Sequence, residues 1–174
     1  MKSVKLKIID GSGFMAIVNA EKYNAFVDAD WQLSELMQRF VDEMNNDNLI
    51  IWATGLENEW IVDFMDEPSN DNAFREFSKI IAVTDEQLYL TNYEDLTYVA
   101  QFEDEMLPLR HNSDRFIKLD NGEYMLTIRQ MFDPENYDYE ADENVAFEII
   151  VQTKDQPKEE SIREIFWWTN QCPT

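Results

Sequence analysis

Phe116-Ile117-Lys118-Leu119, then Asp120-Asn121-Gly122, then Tyr124-Met125-Leu126-Thr127-Ile128 is the stretch on which the reading of this chain turns. Two runs of strand-forming residues flank an Asn-Gly pair, which supplies the positive φ angles of a tight type I′ turn. The stretch predicts a β-hairpin. Hairpin-connected strands imply antiparallel sheet, and the rest of the chain reads the same way.

Upstream, Lys5-Leu6-Lys7-Ile8-Ile9 and Phe14-Met15-Ala16-Ile17-Val18 flank Asp10-Gly11-Ser12-Gly13 and read as another hairpin. Trp31, Leu33, Leu36, Met37, Phe40, Val41 and Met44 recur at three- and four-residue spacing, which predicts one amphipathic helix over about 31–44. Asp28 and Asp30 stand where carboxylates cap a helix start, and Asn45-Asn46-Asp47-Asn48 where a left-handed residue stops one. Leu49-Ile50-Ile51-Trp52 is uninterrupted apolar sequence, the pattern of a central strand covered on both faces. In the strand that follows, Trp60, Val62 and Phe64 share one face by alternation, and residues 66–72 form a linker.

Further strands are expected over 77–83, 87–90 and 96–102, with a polar break at Asn92-Tyr93-Glu94-Asp95. Val145, Phe147, Ile149 and Val151 alternate along another, and 158–167 reads as a short helix with Ile162, Ile165 and Phe166 on one side. The fold class is therefore α+β: mainly antiparallel β-sheet with the 31–44 helix packed on a face, as a single globular domain over 1–174.

Sliding the chain along itself carries Ala16 onto Ala82 and Tyr23 onto Tyr89. One residue further it carries Ile50 onto Ile117, Gly55 onto Gly122, Ile61 onto Ile128 and Asp66 onto Asp133. This suggests two similar β-rich halves, 1–68 and 73–153, sharing a core, the first with the helix inserted.

Charge narrows the function classes. Thirty-six Asp and Glu stand against fourteen Lys and Arg, for a formal net charge of -22. No base lies between Arg39 and Arg75 or between Lys79 and Arg110, so the acidity belongs to the body and not to a tail. Such a field repels phosphates and anionic lipid, which sets aside nucleic-acid and membrane binding, and it speeds encounter with basic proteins. The same acidity also serves solubility alone. A single cysteine, Cys172, excludes an intrachain disulfide, and the N-terminal residues lack an apolar signal core, so cytoplasm is the expected compartment.

Catalytic patterns fail one by one. His111, the only histidine, has Ser113 and Asp114 beside it, but triad members come from separate segments that point into one another. Cys172 has no neighbour to lower its pKa. Gly11-Ser12-Gly13, with Ala16 at the third glycine position, begins like a dinucleotide fingerprint but leads into a strand and not a helix. Glu57-Asn58-Glu59 and Glu103-Asp104-Glu105 are adjacent acids in loops, unlike two carboxylates facing across a cleft.

Asp133-Pro134-Glu135-Asn136-Tyr137-Asp138-Tyr139-Glu140-Ala141-Asp142-Glu143-Asn144 carries six carboxylates and no base. Asp138, Glu140, Asp142 and Asn144 alternate as Ca²⁺ ligands do, but Glu143 stands where an EF-hand needs glycine and Ile149 where it needs glutamate. Tyr137 and Tyr139 among acids suit a protein interface, with rigid aromatic contact area beside groups that pair with Arg or Lys.

No catalytic residue, cofactor or metal ion is called for, and the chain does not read as an enzyme. The first functional expectation is an acidic interaction protein of inhibitor or immunity type. It would bind a basic partner such as a nuclease through Tyr137, Asp138, Tyr139, Glu140, Asp142 and Glu143. The alternative is a small-ligand module with a pocket between the sheets lined by Trp52, Trp60 and Tyr124. A carboxylate metal-dependent enzyme ranks last. Trp167-Trp168 reads as core packing of a terminal element, with an exposed anchor as the other option.

Overall fold

The computed structural model describes residues 2–154 and 160–169. Strands β1 (Val4–Asp10), β2 (Phe14–Val18), β3 (Leu49–Ala53) and β4 (Asn58–Met65) enclose helix α1 (Leu33–Asn45) in sequence. Then β5 (Arg75–Val83), β6 (Gln87–Asn92), α2 (Tyr93–Gln101), β7 (Phe116–Lys118) and β8 (Gly122–Gln130) follow, and β9 (Val145–Thr153) completes the set. The strands form a five-stranded sheet ordered β1-β4-β9-β8-β5 and a four-stranded sheet ordered β3-β2-β6-β7. Every pairing is antiparallel except β4 with β9. The α+β, mainly antiparallel architecture is as the sequence indicates.

Alternation divides the apolar side chains into two cores. Ile8, Trp60, Phe64, Ile128 and Phe147 of the five-stranded sheet face Met15, Ile17, Trp52, Leu90 and Ile117 of the four-stranded sheet. On the other side of the four-stranded sheet, Ala16, Val18, Leu49 and Ile51 meet Leu36, Phe40 and Met44 of α1 and Leu96 and Val99 of α2. The layers are thus helices, four-stranded sheet, five-stranded sheet. The middle layer is covered on both faces, which explains the unbroken apolar run Leu49–Trp52. β3 is nevertheless an edge strand and not a central one. Its free side is closed by Phe166, which bridges to Trp52 and whose carbonyl accepts the Ala53 N–H at 3.0 Å.

Both expected hairpins are corners between sheets. β7 pairs with β6 in one sheet, whereas β8 pairs with β5 and β9 in the other, so Asp120-Asn121-Gly122 crosses the sandwich. Asn121 Oδ1 accepts the Glu86 N–H at 2.8 Å and ties this corner to the one between β5 and β6. Likewise β1 pairs with β4 and β2 with β3, and Asp10-Gly11-Ser12-Gly13 crosses between them. A sandwich corner needs the same Gly and Asn as a hairpin turn. It also leaves the flanking strands with the same alternation, because each faces the shared core from its own wall.

Residues 96–102 were expected as a strand, yet α2 spans Tyr93–Gln101. Asn92 caps it by accepting the Asp95 N–H at 2.9 Å, Glu94 and Asp95 lie in its first turn, and Leu96, Val99 and Ala100 are buried. The start of α1 is set not by Asp28 or Asp30 but by Glu35, which accepts the Gln32 N–H at 3.0 Å. Its end is as expected, with Asp47 at φ 62°. Residues 160–167 form no helix, and Lys158 lies outside the described residues. The expected linker, 66–72, folds back on the five-stranded sheet. There the Asp71 carbonyl accepts from Arg129 at 2.8 Å, and the Ser69 N–H donates to Glu148 at 3.2 Å.

The order strand-strand-helix-strand-strand occurs twice, as β1 to β4 and as β5 to β8, so a helix interrupts both sets and not only the first. Asn19 Nδ2 donates to the Ala82 carbonyl at 2.9 Å, while Asn92 Nδ2 donates to the Ile9 carbonyl at 2.9 Å. The displacement that carries Asn19 onto Asn92 also carries Ile9 onto Ala82, and Ile17 onto Leu90, its own partner across β2 and β6. Each asparagine thus bridges to the other set by the same bond, and each also caps its following turn, through Lys22 N–H and Asp95 N–H. Strand register does not follow the sequence slide: Met15 opposes Trp52 and its counterpart Leu88 opposes Ile117, so Ile117 matches Trp52 and not Ile50.

Replacing either asparagine by alanine strands a carbonyl at a sheet junction and removes a cap. Asn19→Ala and Asn92→Ala are each expected to lower unfolding free energy by about 1–2 kcal/mol in urea titrations, and by similar amounts. Unequal effects, with one variant unchanged, would show that the two bonds are not equivalent.

Candidate interaction surface

The acidic segment leaves β8 and returns to β9 through two one-turn 3-10 helices, Pro134–Asn136 and Tyr139–Ala141. Each is capped by the aspartate before it: Asp133 accepts the Glu135 N–H at 2.9 Å, and Asp138 accepts the Glu140 N–H at 3.0 Å. Short polar side chains that bond to the main chain two residues on give a loop shape without a core of its own.

Tyr137 anchors the loop. Its ring meets Trp60 edge-on at 5.5 Å and Phe132 at 5.2 Å, and Phe132 in turn stacks on Trp60 at 4.5 Å. The hydroxyl donates to Asp142, and Asn58 Nδ2 donates to Asp142 at 3.0 Å and to the Tyr137 oxygen at 3.2 Å. Donation from Tyr137, then Asn58, holds the Asp142 carboxyl below its ordinary range, with Lys7 adding to the effect. Burial and the neighbouring Asp142 push the Tyr137 phenol well above its own range. A cavity of about 230 Å³ lies under the loop, lined by Phe132, Asn136, Tyr137, Ala141 and Ala146 among others.

The six residues expected to bind a partner are therefore together but not alike. Tyr137, Asp138 and Asp142 hold the loop. Tyr139, 61% exposed, stands edge-on to Tyr137 at 4.9 Å, with Glu140 and Glu143 exposed near it. The outward face is one rigid aromatic ring amid carboxylates. Near the loop, Lys7 pairs with Glu59 at 3.0 Å.

The aromatic pocket expected from Trp52, Trp60 and Tyr124 is filled. Trp52 and Trp60 are fully buried against Phe147, at 5.7 and 6.0 Å, because they face each other's sheet across the core. Tyr124 lies half-buried on β8, with its hydroxyl donating to the Asp120 carbonyl at 2.7 Å. An open groove of about 610 Å³ lies elsewhere, between the Ser12–Phe14 corner, residues 55–57 and Trp167-Trp168. Both of these tryptophans are half-buried. Trp167 lies under the Arg75 guanidinium at 4.3 Å, and Trp168 lies beside Phe14 at 6.2 Å.

His111 does not meet Ser113 and Asp114. Its Nε2 lies 2.9 Å from Asp95, a buried carboxylate on α2 that also accepts from Asn112 at 2.8 Å. That contact joins the 110–112 turn to the helix. Nor is the glycine corner a phosphate cradle. Glu94 accepts from Ser12, and a Cβ on Gly11 would lie 2.8 Å from its oxygen, so a carboxylate already fills the approach. Cys172 lies outside the described residues. Among those residues no His, Cys, Asp or Glu group of three is arranged to hold a metal ion, and no helix is long and apolar enough to cross a membrane. Sequence reasoning missed the role of Asn58, which an exposed Glu-Asn-Glu triplet does not announce.

No family model and no curated protein sequence matches the chain. Two solved structures resemble it. "Crocagin biosynthetic gene J" superposes with a TM-score of 0.59 at 15% identity, over 88% of this chain and 99% of that one. ComJ from Bacillus subtilis, described as an inhibitor of the DNA degrading activity of NucA, gives a TM-score of 0.47 at 14% identity, over 86% and 94%. At this identity the first likeness shows a shared fold.

Asp142 supplies a pH signature of the anchor. A carboxyl with a depressed folded pKa contributes stability that is present above its unfolded value near 3.8 and is lost as pH falls through the folded value. Tyr137→Phe removes the main donor. The Asp142 carboxyl, followed by NMR, is then expected to titrate at higher pH than in the unaltered chain. The stability gap between the two chains should also narrow on acidification below about pH 4. An unmoved Asp142 titration would mean the phenol does not bond to it in solution.

Proposed function

We propose that this chain is an acidic interaction protein of inhibitor or immunity type, without chemistry of its own, which holds a basic protein such as a nuclease. The observation that carries the reading is Tyr139. It is a large ring left outside on an ordered loop, beside exposed carboxylates, in a segment with no base. A flexible acidic loop would lose entropy on docking. This one is fixed in advance by Tyr137, Asp138 and Asp142, so its exposed groups can bind at lower ordering cost. The net charge of -22 steers a basic partner inward, and Tyr139 then supplies desolvated contact area.

The test begins with capture from host lysate at low salt, elution by a salt gradient and purification of what is recovered. Calorimetric titration of that protein against the intact chain should give one-to-one binding that weakens as salt rises. Tyr139→Ala is expected to cost about 2 kcal/mol, roughly a 30-fold loss in affinity. Joint reversal of Glu140 and Glu143 to lysine should slow association more than it speeds dissociation. Binding unaltered in both variants would remove the loop from the interface. Recovery of no saturable binder would leave the acidity as a solubility feature.

A further inference from the structure

The last turn of α2 and the loop behind it leave three large apolar side chains in water. Tyr98 and Phe102 touch, ring centroids 4.7 Å apart, with 42% and 41% of their surfaces exposed, and Met106 is 70% exposed. They are not strays from a frayed end. Phe102 N–H donates to the Tyr98 carbonyl at 3.2 Å, and Glu105 N–H donates to the Phe102 carbonyl at 3.1 Å, so the chain turns tightly between them. Val27 and Asp28 N–H both donate to the Ala100 carbonyl, at 2.9 and 3.1 Å, which lays the 27–30 segment against the same helix end. An exposed aromatic pair followed by a methionine is the kind of patch that interfaces use.

Most of the charge around it is negative, the exception being Arg39, whose guanidinium is already engaged by the Asn24 and Phe26 carbonyls beside the 27–30 segment. Glu103 and Asp104 are exposed within the turn, and Asp28 and Asp30 are exposed on the adjoining segment. No Lys or Arg occurs between Lys79 and Arg110. The C-terminal end of a helix already carries partial negative charge, and α2 has no base in its last turn to offset it. Carboxylates gathered at that end repel one another and the helix dipole, a standing cost that an incoming cation relieves.

We propose that this end of α2 is a second docking surface, and that it takes a basic amphipathic segment of a partner protein, with an apolar side chain flanked by lysines or arginines. The apolar residue sits on Tyr98, Phe102 and Met106, and the cations reach Asp28, Asp30, Glu103 and Asp104. A second copy of this chain is disfavoured as the occupant, because it would bring the same carboxylates face to face. The proposal does not depend on the 133–144 loop, which is built on the opposite sheet.

The probe is a synthetic peptide with lysine and leucine at helical spacing, titrated into the intact chain with NMR detection. Two control peptides have the leucines replaced by serine or the lysines replaced by glutamine. The lysine-leucine peptide is expected to saturate and to shift resonances of residues 98–106 and 27–30, and both controls should bind at least tenfold more weakly. The paired variant Phe102→Ser with Met106→Ser should lose at least tenfold in affinity. Glu103→Gln with Asp104→Asn, which alters no apolar contact, should flatten the salt dependence. Tyr139→Ala should change nothing here, which separates failure of this surface from failure of the loop. Shifts confined to the loop, equal binding of the serine control, or sedimentation showing a dimer that Phe102→Ser dissolves would each overturn the proposal.

Discussion

The carboxylate of Asp10 is the joint on which the sandwich depends. It is buried, and it accepts five hydrogen bonds: from the main-chain N–H of Ser12, Gly13 and Phe14, from the Thr54 hydroxyl at 2.7 Å, and from the Trp60 indole at 2.9 Å. Asp10 ends β1, and its donors come from the corner after it, the start of β2, the exit of β3 and the third residue of β4, so one side chain fastens both sheets of the first β-β-α-β-β unit. Burial pushes the Asp10 pKa up, and Thr54, Trp60 and the turn amides pull against it. A buried carboxylate persists only where donors replace its water.

From that joint the rest of the arrangement can be followed outward. With β1 and β2 directed into different sheets, β4 returns beside β1 and β3 beside β2, and the same path is repeated from β5 to β8. Asn19 and Asn92 lock the two β-β-α-β-β sets across β2 and β6. They cannot by themselves close the five-stranded sheet, where β4 and β8 would remain as facing open edges. β9 fills that gap, parallel to β4 and antiparallel to β8. The loop that delivers β9 must therefore run over the end of the sandwich, past Trp60 and Asn58. The acidic segment lies where it does because the last strand has to enter the middle of a sheet.

How far the sequence could be read follows from this. Alternation and helical spacing located the strands, α1 and the alternating run of β9, since those patterns record which side chains meet a core. They could not tell a hairpin from a sandwich corner, because Ile117 and Ile128 face one core whether their strands pair or oppose. Leu96 to Phe102 misled for a related reason: Leu96, Val99 and Ala100 fit a helix face, but Tyr98 and Phe102 give the same stretch strand-like alternation. The capping pattern of Asn92 with Asp95 was the stronger signal there. The identities that suggested two similar halves do not follow strand register, since matches such as Ile50 with Ile117 arise easily among strand residues. Paired bonds such as those of Asn19 and Asn92 require coordinates.

Of the candidate loop, the segment was legible and the structural roles of its residues were not. Composition marked 133–144 as acidic and tyrosine-bearing, but only Trp60 and Asn58, distant in sequence, divide its members into those that hold the loop and those that face outward. Trp52 and Trp60 show the converse. Large aromatics that look like pocket walls in sequence are core where two sheets oppose them, and exposed aromatics such as Tyr139 and Phe102 are marked by the absence of an opposing layer. Aromatic content alone therefore carries little about binding in a sandwich this rich in rings. What distinguishes a contact surface is an aromatic ring that the fold holds rigid on one side and leaves uncovered on the other, and here such rings stand among carboxylates.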